Sequence, residues 1–581
     1  MKNSKILKPI KNKIPYLILI IIFTLIQVYC DLTLPIYTAN IVNKGIQYTN
    51  FNLIYSTGIN MMIMVSSSVL ATILISYISS KFSSAYARDL REIVFKKALK
   101  FSNNELNNIS RSSLITRSTN DINQIQNIFG IMFRTVLFAP ILGIGSIIQA
   151  YNLGTNLFWI IIVTFLAVII LLVIVMKNVI PFFQKTQEII DKINRTSREI
   201  LIGIPVIKAF VRQYYEEKRF EKINKEFLDI NLYVYKRIML LIPAMILILN
   251  IMVVLILYFG AYDALDGSIL TGNIIAFIQY ATQIVSAFVM IGGFIIMFPR
   301  VLVSIHRINE VLNTKITIKN GEKLNIKEKS TIEFKNVTYK YPNSEKETLK
   351  NINFKLESGK TTAIIGGTGS GKSTIINLIP RLQDVNIGEI LLNGINIKQY
   401  NLKKLREKIS FTPQKALLFS GTIKSNIQKG KTNATDEEIK KALKNAQVDF
   451  IENLNEEVSQ GGANFSGGQK QRLSIARAII GDHDFYLFDD CFSALDMNTE
   501  AKLKQKLKEI KKESSILLIS QRISTIQDAD EIIVLDNGEI IDKGTHTELS
   551  KRCQIYKEII NSQTRNMVVL QWDETKKYLQ K

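Results

Sequence analysis

Gly366-Gly367-Thr368-Gly369-Ser370-Gly371-Lys372-Ser373-Thr374 decides the fold of the C-terminal half. It fits G-x-x-x-x-G-K-[ST], and its flanks supply the context that pattern needs. Ala363-Ile364-Ile365 predicts a strand before it and Ile375-Ile376-Asn377-Leu378 a helix after it. The glycines let backbone N–H groups converge on phosphate oxygens, and the helix N-terminus adds its dipole. Lys372 is placed to reach outer phosphates and the Ser373 hydroxyl to hold Mg²⁺.

Two later stretches extend this pattern. Phe485-Tyr486-Leu487-Phe488 is an apolar strand ending in the carboxylates Asp489 and Asp490, and Ser493-Ala494-Leu495-Asp496 follows at once. Asp489 is placed to hold Mg²⁺, directly or through water, and the next position should orient an attacking water. Phe465-Ser466-Gly467-Gly468-Gln469 opens a helical run from Lys470 to Ile480. Small residues at a helix start make an anion site. Alone, the segment would read as an ordinary glycine-rich turn; in order with the other motifs it reads as a third phosphate-facing element.

The N-terminal half has a different character. A spanning helix needs about 20 mostly apolar residues, and six stretches qualify: about 14–42, 53–80, 128–151, 157–180, 239–262 and 273–299. Lys8, Lys11 and Lys13 precede the first, which reads as a span and not a signal peptide because no small-residue cleavage site follows and further spans come later. The connections 46–52, 152–156 and 263–273 lack Lys and Arg, whereas 81–121 and 177–237 are rich in both. Both termini and the two long connections are therefore expected on the cytoplasmic side of a cell membrane. Apolar spacing at Ile189, Ile193, Ile200 and Ile204 predicts packed helix in the second connection. Candidate turns are Ile109–Arg117 and Leu201–Ala209. Asp31, Arg134, Asn250, Gln279 and Gln283 are polar groups at or near membrane depth; the two glutamines either line a cavity or hydrogen-bond a neighbouring helix.

The net charge of +23 over 581 residues does not imply a nucleic-acid partner. Lys, Asn and Ile are high throughout, and no basic stripe interleaves with aromatics. The three cysteines, Cys30, Cys491 and Cys553, have no metal-ligand spacing and cannot build a disulfide framework, which fits a reducing compartment for the soluble half.

With these motifs in this order, nearly the whole chain resembles an ATP-binding cassette (ABC) transporter of the exporter type. The fold expected is a helical membrane domain of six spans with long cytoplasmic extensions (1–312), a linker (313–329), an α/β P-loop NTPase cassette (330–562) and a tail (563–581). The resemblance implies ATP and Mg²⁺ as ligands. It implies that Tyr341 stacks on adenine, that Gln414 touches Mg²⁺ and signals to the membrane domain, and that Ser466–Gln469 is the signature acting on ATP held by a partner chain. Asp496 would be the D-loop aspartate, Glu457–Gly462 the cross-talking loop, and the two candidate turns the coupling helices.

Two positions depart from the family pattern. Its catalytic glutamate is Asp490 here, and its switch histidine is Gln521 in Ser520-Gln521-Arg522. None of His306, His483 and His546 stands in for it. A carboxylate one methylene shorter falls outside good reach of the water, and losing a positioned base costs about 10²–10⁴ in rate. Binding should survive while turnover fails. An intact signature beside poor catalytic residues resembles the degenerate-site subunit of heterodimeric multidrug exporters: a half-transporter working with a second chain in the lipid bilayer on a small-molecule, lipid or peptide substrate. The competing readings are a homodimeric exporter with two slow sites and an ATP-binding channel-like or regulatory subunit that does not pump.

Overall fold

The computed structural model describes residues 5–153, 156–324, 330–342, 344–510 and 512–563. They form two compact units, one holding the chain up to Leu99 and Arg111–Thr314, the other Lys100–Ser110 and the chain from Lys315.

The first unit is helical. Its long helices are α1 (Ile14–Asn40) and α2 (Phe51–Ala98), then, after the short α3 (Asn103–Ile109) of the second unit, α4 (Arg111–Leu153), α5 (Phe158–Ala209), α6 (Gln213–Leu265) and α7 (Thr271–Asn313). Each of these six includes a segment long and apolar enough to cross a membrane. Helices α2, α5 and α6 run to 48, 52 and 53 residues. At ~1.5 Å per residue they far exceed the ~30 Å hydrocarbon layer, so much of each lies outside it. Helix α4 contains two widened turns, Arg117–Asp121 and Met132–Val136. In the first, buried Arg117 pairs with Glu310 at 2.8 Å and donates to the Arg307 carbonyl at 3.0 Å, and Ser304 donates to Asp121 at 2.9 Å. These bonds fasten α4 to α7.

Helix α1 contains Pro35. Proline has no N–H for the carbonyl four residues back, so the Asp31 carbonyl loses its helical partner. Gln283 Nε2 donates to it at 3.1 Å, and Tyr280 Oη donates to the adjoining Leu32 carbonyl at 2.6 Å. Of the two readings for the glutamines, Gln283 thus takes the second: it satisfies a neighbouring helix. Gln279 is half-buried, and Arg134 and Asn250 are exposed in this chain.

The first candidate turn is broken at Ser110, inside Ile109–Arg117, whereas the second reversal falls beyond Leu201–Ala209. In the first, Ser110, with φ 64°, ends α3, which Ser102 caps in a capping box with Glu105. Arg111–Thr116 is already helix. Leu201–Ala209 is helix as well, and the reversal lies at 210–212, where Val211 takes φ 53°. Val211, which follows α5 at positive φ, is a non-glycine with no turn signature. Within the second unit α3 is held by Glu105, whose carboxylate accepts from the Thr317 N–H at 3.2 Å and hydroxyl at 2.7 Å.

The remainder of the second unit is α/β. One sheet has the order β2 (Leu349–Leu356), β1 (Ile332–Tyr339), β4 (Ile387–Leu392), β5 (Ile395–Asn396) and is antiparallel. The larger has the order β12 (Glu539–Gly544), β11 (Glu531–Asp536), β3 (Thr361–Gly366), β10 (Ser515–Ile519), β9 (Phe485–Asp489), β6 (Ile409–Thr412), parallel except at β12. A short pair joins β7 (Gly421–Thr422) to β8 (Glu457–Val458). Every residue of β9 and β10 is buried. Strands covered on both faces need apolar side chains at every position, and these runs have them apart from Ser515 and Asp489.

Register then builds the site. Ile519 lies opposite both Ile364 and Asp489, and Leu535 opposite Gly366. The residues leaving β3, β10 and β9 therefore emerge side by side at the carboxyl edge of the sheet, where open α/β sheets bind ligands.

Candidate nucleotide-binding site

The loop after β3 is shaped by close approaches. A Cβ on Gly366 would run into the Leu535 carbonyl, and Gly371, with φ 102°, lies against Leu349 and the Thr348 carbonyl. The next residue starts the helix Lys372–Leu378. Around Gly367 and Gly369 there is open space. Lys372 Nζ donates to the carbonyls of Gly366 at 2.8 Å and Gly367 at 2.6 Å and to Ser370 Oγ at 3.3 Å. Burial pushes the Lys372 pKa down, opposed by the charges of Asp490 and Asp489. A buried ammonium held by neutral oxygens is suited to an anion that restores its favoured charge state.

Ser373 and Asp489 face each other, with the hydroxyl donating to Oδ1 at 3.2 Å. Burial raises the Asp489 pKa, as does Asp490, while the Ser373 hydrogen bond and Lys372 pull it back. Among the described residues no cluster of three or more His, Cys, Asp or Glu side chains makes an all-protein metal cage. Ser373 and Asp489 instead offer the sparse oxygen set typical of a cation shared with phosphate.

Tyr341 lies beside the loop. Its hydroxyl is 3.2 Å from Thr374 Oγ1, and its ring meets Tyr339 edge-on at 5.0 Å.

Asp490 takes φ 46°, and its N–H donates to the Ile519 carbonyl at 2.9 Å. Gln414 Nε2 donates to Asp490 Oδ2 at 3.3 Å. Burial raises the Asp490 pKa, and Gln414, Arg522, Lys372 and the Gln521 N–H oppose that rise. The Gln521 side chain is exposed and makes no hydrogen bond among the described residues, but its backbone is held. Gln563 Nε2 donates to the Gln521 carbonyl at 2.7 Å, and Gln563 Oε1 accepts from the Ile523 N–H at 2.9 Å. Sequence reasoning missed Arg522 and Gln563. Arg522 stood in a triplet already singled out, whereas no local pattern marks Gln563, and residues 564–581 of the tail lie outside the described ones.

Ser466 caps the helix Gly467–Ile479 in a capping box, its N–H donating to Gln469 Oε1 at 2.8 Å and its Oγ accepting from the Gln469 N–H at 3.3 Å. Gly467 faces open space, whereas a Cβ on Gly468 would meet the Ala494 carbonyl at 2.9 Å. Gln471 Oε1 accepts from the Ala494 N–H at 3.2 Å, and Asp496 Oδ1 accepts from the Thr499 N–H at 2.9 Å, capping Met497–Ile510. The structure thus gathers Tyr341, residues 366–374, Gln414, Asp489 and Asp490. Among the described residues no hydrogen bond joins Ser466–Gln469 to that group.

Residues 17–288 match the family model of the ABC transporter transmembrane region, and residues 349–493 match the family model described as ABC transporter. The chain is 36% identical over 548 residues to the uncharacterized ABC transporter ATP-binding protein YfiB of Bacillus subtilis, covering 94% of this chain and 95% of that one. The chain belongs to the ABC transporter family. It is an ATPase coupled to transport, with membrane domain and cassette fused in one polypeptide. This ABC transporter is also 36% identical over 369 residues to a putative multidrug export ATP-binding/permease protein of Staphylococcus aureus, covering 62% and 64% of the two chains. Its fold matches a bacterial Atm1-family ABC exporter solved with ATP bound, with a TM-score of 0.81, 24% identity, and 94% and 99% of the two chains covered. At that identity the likeness speaks for the exporter fold alone.

Proposed function

We propose that this ABC transporter is one half of a heterodimeric ATP-driven exporter whose own nucleotide site binds ATP firmly and hydrolyses it slowly. The observation that carries the reading is the pair Asp490 and Gln521 at the ends of β9 and β10, where the resemblance implies Glu and His. In this reading Lys372 and the loop 366–374 hold the phosphates, and Ser373, Gln414 and Asp489 hold Mg²⁺. Tyr341 stacks on adenine. Asp490 is tied to Gln414 and carries a shorter arm, so it orients water poorly. Gln521 can hydrogen-bond a γ-phosphate but brings no charge.

Ser466–Gln469, intact and with Gly467 open, serves the competent site of a second half-transporter. Asp496 contributes at the same junction. ATP binding brings the two cassettes together, and hydrolysis at the competent site resets them. The cassette and both termini are read as cytoplasmic from the placement of Lys and Arg. The cargo is hydrophobic or amphipathic, in keeping with the multidrug export named for the Staphylococcus aureus relative.

The test is ATP binding and steady-state hydrolysis by the purified chain, alone and with a half-transporter that carries Glu and His at the two positions. Tight binding with slow turnover alone, and fast turnover of the pair, is expected. Brisk turnover by the isolated chain, abolished by Asp490→Asn, would falsify the reading in favour of a homodimer with working sites. Loss of uphill, ATP-dependent accumulation in vesicles by the pair would leave only the non-pumping alternative.

A further inference from the structure

Asp31 is the one acidic residue in the six apolar stretches read as spans. An ionised carboxylate at membrane depth is costly unless paired, and such groups are kept where they meet substrates, ions or protons. The other polar side chains around it have structural employment. Gln283 and Tyr280 satisfy the Asp31 and Leu32 carbonyls freed near Pro35, and Ser146 donates to Gln283 Oε1 at 2.8 Å, holding that amide in place. They fix the backbone at Asp31; they do not neutralise its side chain.

The carboxylate itself has a single hydrogen-bond partner among the described residues. Ser68 Oγ on α2 donates to Asp31 Oδ1 at 2.7 Å. Among the described residues nothing donates to Oδ2, and no Lys or Arg pairs with Asp31. The elements packed against it (α2, α4 and α7) bring only one charged residue within their apolar stretches, Arg134, and that side chain is exposed. Its neighbours are otherwise apolar: Val28 one turn away packs with Phe138 and Leu142, and Leu32 joins the same cluster. Asp31 is only half-buried in this chain.

We propose that Asp31 is a recognition point for the transported molecule and that the cargo is a lipophilic cation. The proposal rests on the exporter reading and adds the charge of the substrate. The missing counter-charge is supplied by the cargo, whose cationic centre pairs with Oδ2. Ser68 keeps the carboxylate in one orientation.

The test uses two ions of the same shape and opposite charge, tetraphenylphosphonium and tetraphenylborate, with the full-length chain in nanodiscs and no nucleotide. Saturable tetraphenylphosphonium binding is expected, without saturable tetraphenylborate binding. Asp31→Asn, which keeps the acceptor for Ser68 and so the local packing, should weaken it about thirtyfold or more, as loss of a desolvated charge pair does. Asp31→Glu should restore much of it. Equal binding by the Asn variant, or equal saturable binding of both ions, overturns the proposal and identifies Asp31 as a carboxyl kept protonated for helix packing. The exporter reading has its own readout, ATP-dependent accumulation in vesicles by the two-chain unit. A chain that accumulates a neutral dye but fails the binding test loses only the assignment to Asp31.

Discussion

The end of β3 and the ends of β9 and β10 lie side by side on one sheet edge, yet they differ in kind. After β3, each position of 366–374 that the phosphate-binding pattern specifies holds the residue it asks for, and the close packing of Gly366 against Leu535 shows how little else fits. After β9 and β10 the geometry is equally well built. Asp490 is anchored through Ile519 and Gln414, and the 521 loop through Gln563. What is altered there is side-chain chemistry on an intact frame. On the proposed reading, gripping a nucleotide and splitting it are separable: one depends on backbone N–H groups and a lysine, the other on the length and charge of two side chains.

The sharpest way to break this comparison is to restore the chemistry. Asp490→Glu combined with Gln521→His should raise hydrolysis at this chain's own site by about 10²–10⁴, the usual contribution of a positioned base. Single-turnover rates measured with and without the two changes decide it, and nucleotide affinity should stay within a few fold. Damage to the grip should show the reverse profile. Lys372→Ala removes charge-assisted hydrogen bonds worth about 1.5–3 kcal/mol, so ATP affinity by equilibrium binding should fall roughly 10–100-fold.

Gly366→Ala probes the frame instead of the chemistry. Forcing a methyl against the Leu535 carbonyl should destabilise the cassette by about 1–3 kcal/mol, visible as a lower midpoint in thermal unfolding of the full chain. Asp489→Asn should act oppositely on stability and binding. Burial raises the Asp489 pKa, so the nucleotide-free protein carries a cost for ionising it. The variant should melt about 2–4 °C higher at pH 7 while binding Mg²⁺-nucleotide more weakly. Because the folded-state pKa is the raised one, the wild type regains that stability as pH falls. The difference should shrink through the window above the ordinary 3.8 and vanish below it. The smallest effect is expected at Gln563→Ala, about 1 kcal/mol for two exposed or half-exposed hydrogen bonds, read as faster amide exchange at 521–523.

Much of this was legible in the chain. The spans follow from uncharged runs, because hydrocarbon tolerates little else. The loop 366–374 and the strand 485–489 follow from a pattern tied to backbone geometry. The second reversal lies beyond the expected turn because Val211 reaches positive φ without glycine, which no propensity foretells. The role of Gln283 was undecided in the sequence, since a glutamine at membrane depth suits a cavity or a helix partner equally; only its contact with the carbonyl freed by Pro35 chose between them.

Short-range patterns of residue type carry the two-part architecture and the loop 366–374, whereas Asp490 and Gln521 are departures only against the family resemblance. Only the tertiary contacts show that Asp490 is tied to Gln414, that Gln563 clasps the 521 loop, and that Ser68 is the one hydrogen-bond partner of the Asp31 side chain among the described residues. Those are pairings across 76, 42 and 37 residues of chain, and packing, not local preference, brings such distant groups within hydrogen-bond reach.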